Sequence, residues 1–316
     1  MKEIRKALIV GAGAIGAAVA SRIFDSDPES VAILASGQRA ERYAREGILV
    51  NGRRYPFALA NPGTDGSYSL VLLAVKDYHL GEAIGEMRPL VGPETLVLSL
   101  LNGITSEEVL RAALAPNLPK ERNPLAFMIG IDALREKGEI SFLSIGEIGF
   151  GDEKNDSRAL SPAVSAISRF LASHGVPHSI PEDMVKAMWY KFMLNVALNQ
   201  WSAVLRAPYG FFQRSESAKK LLSSTMEEVV KLSQACGTGL ESKDIEAVFT
   251  TLEKLDPESK TSMLQDIEAG RKTEVEIFAR VVAEKSRARG LFAPVNEALY
   301  MAIRALEQNV DTSRRP

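Results

Sequence analysis

An α/β fold, with a parallel sheet in the first half of the chain and helices through the second, is what three features of the sequence predict. Short apolar runs at 6–10, 31–36, 70–75 and 95–100 alternate with helical patterns over the first 180 or so residues. Three glycines, Gly11, Gly13 and Gly16, directly follow the first of these runs. Beyond HSIPED (178–183) strand signals fade, and helical periodicity takes over at about 183–205, 215–236, 243–252, 273–288 and 294–308. Pro181 and the Ser179 region mark the change, which gives expected domains of 1–181 and 182–316.

Composition narrows the function classes. A chain of 316 residues, 46% hydrophobic and 25% charged, reads as an ordinary globular protein long enough for two domains. Its net charge of -2, with Lys and Arg scattered, offers no footprint for nucleic acid or an anionic membrane, so a small-molecule partner is expected. One cysteine, Cys236, excludes an intrachain disulfide. His79, His174 and His178 have no metal-ligand spacing, so no metal is expected, and a reducing, cytoplasmic setting is. The start, MKEIRKALIVGAGAIGAAVA, imitates a secretory signal, but three glycines interrupt its apolar stretch at spacings that another mechanism explains. No apolar run reaches 18 residues, so no membrane span is expected.

That mechanism begins at KALIV (6–10), a short buried strand followed by G-x-G-x-x-G and a helical run to about Phe24. Gly11 permits the tight turn, Gly13 lets backbone approach a pyrophosphate, and Gly16 lets the helix pack closely on the strand. The pyrophosphate would sit on the helix N-terminus, where free amides and the macrodipole favour an anion. A Rossmann-type dinucleotide site is therefore predicted on Gly11, Ala12, Gly13, Ala14, Ile15 and Gly16. The competing reading is a glycine-rich structural turn.

The second strand, VAILAS (31–36), should end beside the adenosine ribose, where an acid commonly binds the 2′-hydroxyl of NAD and a basic residue accepts the NADP phosphate. No acid stands there. Ser36, Gln38 and Arg39 can together hold a 2′-phosphate, which predicts NADP(H); the alternative for Arg39 is a solvated residue on the next helix's first turn. Residues 47–59 carry an Asn-Gly turn between β-prone runs and read as an accessory hairpin. The strands at 70–75 and 95–100 run into Lys76-Asp77 and Asn102-Gly103. Polar groups beyond the carboxyl ends of parallel strands face the ligand crevice, so Lys76 and Asn102 are candidates for the nicotinamide half or the substrate. Turn and capping roles are the alternative for both. Segments 125–131 and 139–150 should extend the sheet, with a helix near 157–173 closing the unit.

In the helical half, WYKFMLNVALN (189–199) places Lys191, Asn195 and Asn199 at four-residue spacing in an apolar run. On an α-helix this aligns an ammonium and two carboxamides in one stripe. Such a stripe either faces solvent or recognises an oxygen-rich ligand that repays the cost of burying it. A second segment, SMLQDIEAGRKTEVEIF (262–278), has Ser262 three residues before Gln265, as in a capping box. Gly270 interrupts that helix and Thr273-Glu274 restarts it. A nucleotide domain followed by a helical one puts the expected active site in the cleft between them.

Together, GAGAIG, Lys76, LLNG at 100–103, W-x-K-x-x-x-N-x-x-x-N at 189–199, and SMLQD with a later Thr273-Glu274 closely resemble the ketopantoate reductase family. The resemblance covers nearly the whole chain. It implies a Rossmann-type parallel-sheet domain, then an all-α domain resembling the C-terminal domain of 6-phosphogluconate dehydrogenase. It implies NADPH-dependent reduction of 2-dehydropantoate to (R)-pantoate, in pantothenate and coenzyme A biosynthesis. Lys191 would be the general acid, Asn195 and Asn199 would bind the substrate's hydroxyl and carboxylate end, and Ser262 its carboxylate. Glu274 would orient the substrate or Lys191 and also face the cofactor, with Lys76 and Asn102 on the nicotinamide side. Three departures stand out: Ser36 replaces a frequent arginine, Gln200 a usual proline, and Ile131-Asp132 a Thr-His-type pair. They leave open a broader D-2-hydroxyacid dehydrogenase, acting on other branched or aromatic 2-keto acids. A nucleotide-sensing protein without turnover is the remaining alternative, since a fold does not fix a function. Exposed apolar positions on the late helices suggest a homodimer.

Overall fold

A computed structural model of the chain describes residues 3–63, 66–136 and 138–313. Met1 and Lys2, the start of the basic N-terminal stretch, lie outside the described residues. The chain divides into two compact units, Met1–Met184 and Val185–Pro316.

Unit 1 opens with β1 (Ala7–Val10), α1 (Ala14–Ser26), β2 (Val31–Leu34) and α2 (Gly37–Glu46). Short strands β3 (Ile48–Val50), β4 (Arg53–Tyr55) and β5 (Ala58–Ala60) follow, then β6 (Leu70–Leu73), α3 (Leu80–Met87), β7 (Leu96–Ser99) and α4 (Ser106–Leu114). Five of these strands form a parallel sheet in the order β5-β2-β1-β6-β7. Its strands are buried on both faces, which is why they read as continuous apolar runs. Alternate residues go to opposite layers. Ala7, Ile9, Ile33, Leu70 and Leu72 join a core with Ala17 and Val19 of α1, whereas Leu8, Val10, Leu34, Val71 and Leu73 meet Ala83, Ile84 and Met87 of α3 and Leu110 of α4. The strand order reverses between β1 and β6, so the crevice that binds ligands in open parallel sheets lies beyond their carboxyl ends.

The rest of unit 1 comprises β8 (Leu125–Ile129), β9 (Leu134–Glu136), β10 (Glu139–Ser141), β11 (Glu147–Gly151), α5 (Pro162–Ser173) and β12 (His178–Ser179). The expectation that 125–131 and 139–150 extend the parallel sheet is corrected. They build two further sheets, β4-β3-β10-β9 and β12-β11-β8, with β8 and β11 antiparallel. The accessory hairpin forms as expected: β3 and β4 pair antiparallel around Asn51 (φ 46°) and Gly52 (φ 75°), the positive-φ pair of a two-residue hairpin turn. Helix α5 starts on the Ser161 cap and contributes Val164, Ile167, Phe170 and Leu171 to the same layer as α1.

Unit 2 is helical: α6 (Met184–Leu194), a π-helical turn at Asn195–Asn199, α7 (Gln200–Leu205), α8 (Tyr209–Arg214), α9 (Glu216–Cys236), α10 (Ser242–Leu252), α11 (Ser262–Glu268), α12 (Ala279–Arg287) and α13 (Pro294–Ser313). Its core gathers Phe192, Met193, Phe212, Met226, Leu264, Phe278 and Ile303, each at most 1% exposed. Buried Glu228 of α9 caps α13, its carboxylate accepting from the backbone N–H groups of Val295 and Asn296 and from Asn296 Nδ2. The expected helix over 273–288 begins later, at Ala279. Thr273 is anchored by N–H and hydroxyl bonds to Glu307, so 273–278 is a loop with one 3₁₀ turn, Val275–Ile277. Among the described residues no helix is long and apolar enough to cross a membrane, and no cluster of metal-ligating side chains is found. Among the described residues, Phe292 (90% exposed), in the loop before α13, and Met301 on α13 (65%) are exposed large apolar residues near the end of the chain.

Candidate active-site elements

In unit 1 the glycine turn behaves as its spacing requires at two positions. Gly11 has φ +100°, and a Cβ there would lie 2.7 Å from Ala74 O. A Cβ on Gly16 would fall 2.0 Å from Gly11 O, so only glycine lets α1 start this close to the turn. Gly13 differs. It caps α1 at φ -80°, a conformation open to any residue, and a Cβ there would meet only Ala74 O at an ordinary 3.9 Å. Nothing in the described protein demands glycine at 13, which fits a position kept bare for a ligand's close approach. The first turn of α1 carries no acidic residue and no side-chain cap, so its amides can receive an anion. Ala12, Ala14 and Ile15 lie along the same turn, each partly buried.

Lys76 follows the carboxyl end of β6, its carbonyl accepting from His79 N–H at 2.8 Å to start a 3₁₀ turn. Asn102 follows β7 in the loop before α4, and both residues are partly buried. They therefore stand beyond strand ends, where they were expected. Ser36 stands at the N-cap of α2, but its hydroxyl does not cap that helix. It donates instead to Glu86 Oε1 at 2.5 Å, while Arg39 Nη2 donates to Glu86 Oε2 at 2.8 Å. Gln38 lines the same depression. An acid thus stands at the end of β2 after all, delivered by α3. The sequence reading missed it because Glu86 is 50 residues from Ser36 and has no local signal.

In unit 2 the four-residue stripe is not a wet helix face. Asn195 is 5% and Asn199 7% exposed, and all five residues of the π turn are buried. Lys191, one turn earlier on α6, is partly buried. Loss of hydration pulls its ammonium down to a pKa of about 8, opposed by the Glu274 carboxylate, whose charge favours the protonated form. The fold therefore brings Lys191 and buried Glu274 into electrostatic contact across 83 residues of sequence. Among the described residues the Asn199 carboxamide makes no side-chain hydrogen bond to protein. Its donors and acceptor are thus left open to a ligand.

The π turn is held from within. Gln200 is fully buried, its Nε2 donating to Val196 O at 2.6 Å and its Oε1 accepting from Ala279 N–H at 3.2 Å. One amide thus serves both the π turn and the start of α12. Helix α11 packs against this turn and α7. The expected capping role of Ser262 is corrected: Thr261 Oγ1 accepts from Leu264 N–H, and Ser262 is the first, exposed residue of α11. The extended backbone at Thr261 (ψ 155°) makes it the cap. In unit 1 Asp132 is likewise structural, accepting from the N–H groups of Leu143 and Ser144 across the β8–β11 connection.

A parallel sheet with a glycine turn after its central strand, followed by a helical unit bearing a desolvated lysine, defines a two-unit oxidoreductase architecture. Known proteins agree. The family model for ketopantoate reductase PanE/ApbA matches residues 7–155, and that for the ketopantoate reductase PanE/ApbA C terminal matches 183–307. The chain belongs to the ketopantoate reductase family. It is 26% identical over 312 residues to the uncharacterized oxidoreductase YkpB of Bacillus subtilis (96% of this chain, 99% of that one). It is 25% identical over 308 residues to the 2-dehydropantoate 2-reductase of Pyrococcus horikoshii (96% and 97%). Among solved structures, 2-dehydropantoate 2-reductase from Geobacter metallireducens matches with a TM-score of 0.80 at 26% identity, over 96% of this chain and 99% of that one. D-mandelate dehydrogenase with NADH and anilino(oxo)acetate matches in fold, with a TM-score of 0.84 at 20% identity over 97% and 99%.

Proposed function

We propose that this chain reduces 2-dehydropantoate to (R)-pantoate with NADPH, Lys191 acting as the general acid. The observation that carries the reading is Lys191 itself: a desolvated ammonium beside buried Glu274, with the buried carboxamides of Asn195 and Asn199 about one and two turns further along the chain. When bound, the nicotinamide supplies hydride to the ketone carbon. As charge develops on the ketone oxygen, the Lys191 ammonium stabilises it and transfers its proton there. Glu274 keeps that ammonium protonated near neutral pH. Asn195 and Asn199 take the substrate's hydroxyl and carboxylate end, and the exposed Ser262 hydroxyl meets the carboxylate.

For the cofactor, the turn from Gly11 through Ala12, Gly13, Ala14 and Ile15 to Gly16 receives the pyrophosphate, and Ser36, Gln38 and Arg39 the 2′-phosphate. Lys76, Asn102 and Glu274 are assigned to the nicotinamide side. On this reading 1–181 is the cofactor domain and 182–316 the substrate and catalytic domain. A homodimer involving Phe292 and Met301 and a cytoplasmic location belong to the same proposal. Steady-state NADPH consumption tests the substrate. The reading expects kcat/KM for 2-dehydropantoate to exceed that for 2-ketoisovalerate by roughly tenfold or more, since the second lacks the hydroxyl that a carboxamide would bind. Equal values would favour the broader 2-hydroxyacid dehydrogenase, and no consumption with any 2-keto acid would contradict both.

A further inference from the structure

We propose that Glu86 sets this chain's discrimination between the two nicotinamide dinucleotides, holding down its preference for a 2′-phosphate and keeping the 2′-hydroxyl form usable. The proposal rests on the dinucleotide reading above. Both Glu86 carboxylate oxygens are engaged, one by Ser36 Oγ and one by Arg39 Nη2. Those are two of the three side chains assigned to a 2′-phosphate. The ion pair is partly sheltered, with the Glu86 side chain 20% and Arg39 43% exposed.

The surrounding charge does not favour a phosphate either. Arg42 and Arg45 add two cations to the same depression, but Glu41 and Glu82 add two carboxylates, leaving it formally neutral. A phosphate monoester carries about -1.5 to -2 charges at pH 7, so it must displace Glu86 from Arg39 and then remain beside a like charge. A ribose 2′-hydroxyl faces no such competition. It can donate to Glu86, the task that an acid at the end of the second strand performs in NAD-binding folds of this type. Here the acid comes from α3, and Ser36 and Arg39 hold it at the strand end.

The test is calorimetric binding of 2′,5′-ADP and of 5′-ADP to the full chain and to its Glu86→Gln variant. The wild type should bind the two within about tenfold of each other, and Glu86→Gln should shift the ratio about tenfold toward 2′,5′-ADP, with tighter 2′,5′-ADP binding and no gain for 5′-ADP. Glu86→Ala, at a side chain 20% exposed, should move the ratio the same way and provides the reading should Glu86→Gln fold poorly. A ratio that stays within threefold of wild type in variants that still bind 5′-ADP overturns the assignment of Glu86 alone. Failure of the wild type to bind either nucleotide overturns the dinucleotide reading as well.

Discussion

At the scale of single residues the proposed chemistry turns on Lys191 and what surrounds it. Loss of hydration lowers the pKa of Lys191 and the Glu274 carboxylate opposes the shift, leaving the ammonium with a pKa of about 8. A general acid must be protonated, so kcat/KM for keto acid reduction should be level below that pH and fall about tenfold per unit above it. Glu274 raises the lysine's pKa, so removing its charge lowers it. In Glu274→Gln the break in the kcat/KM profile should therefore move to lower pH, and a break that stays in place or rises would remove Glu274 from this role. The lysine and both asparagines were legible from spacing, but their environment was not. A four-residue repeat fits a wet helix face and a buried ligand face equally, and only packing separates them. Glu86 was illegible for another reason, because a partner brought in from 50 residues away leaves no trace in the local pattern around Ser36.

At the scale of elements, β1, the glycine turn, α1 and β2 could be read directly, since each depends on local rules: a buried run, a left-handed glycine, a helix start. The β8 and β11 strands could be located but not placed, because pairing is a non-local choice between parallel and antiparallel partners. The π turn at Asn195–Asn199 was also hidden. Gln200 braces it by donating to Val196 O, a contact that leaves no signal in the local pattern. Replacing Gln200 with Leu removes the partner of the buried Ala279 N–H, and should cost about 1–3 kcal/mol of unfolding free energy. Denaturant unfolding of the wild type and Gln200→Leu measures this, and equal midpoints would show that the amide does not hold the turn. Thr261 teaches a smaller lesson: two adjacent hydroxyl residues offer two caps, and the extended backbone chooses the first.

At the scale of the whole molecule, the two halves of the chain differ in what they contribute. The parallel-sheet unit carries the glycine turn, with Gly13 bare for no internal reason, and the helical unit carries the desolvated lysine and the carboxamides. This division was visible in the sequence, since the hydrophobic period changes from strand-like to helical near Pro181. The central claim is that unit 2 provides the acid while unit 1 binds the cofactor, and those contributions can be separated in the intact chain. The most direct measurement is kcat of Lys191→Ala with 2-dehydropantoate, taken alongside its dissociation constant for NADPH. The account predicts a loss in kcat of roughly 10²- to 10⁴-fold with NADPH affinity within threefold of wild type. An unchanged kcat would contradict it.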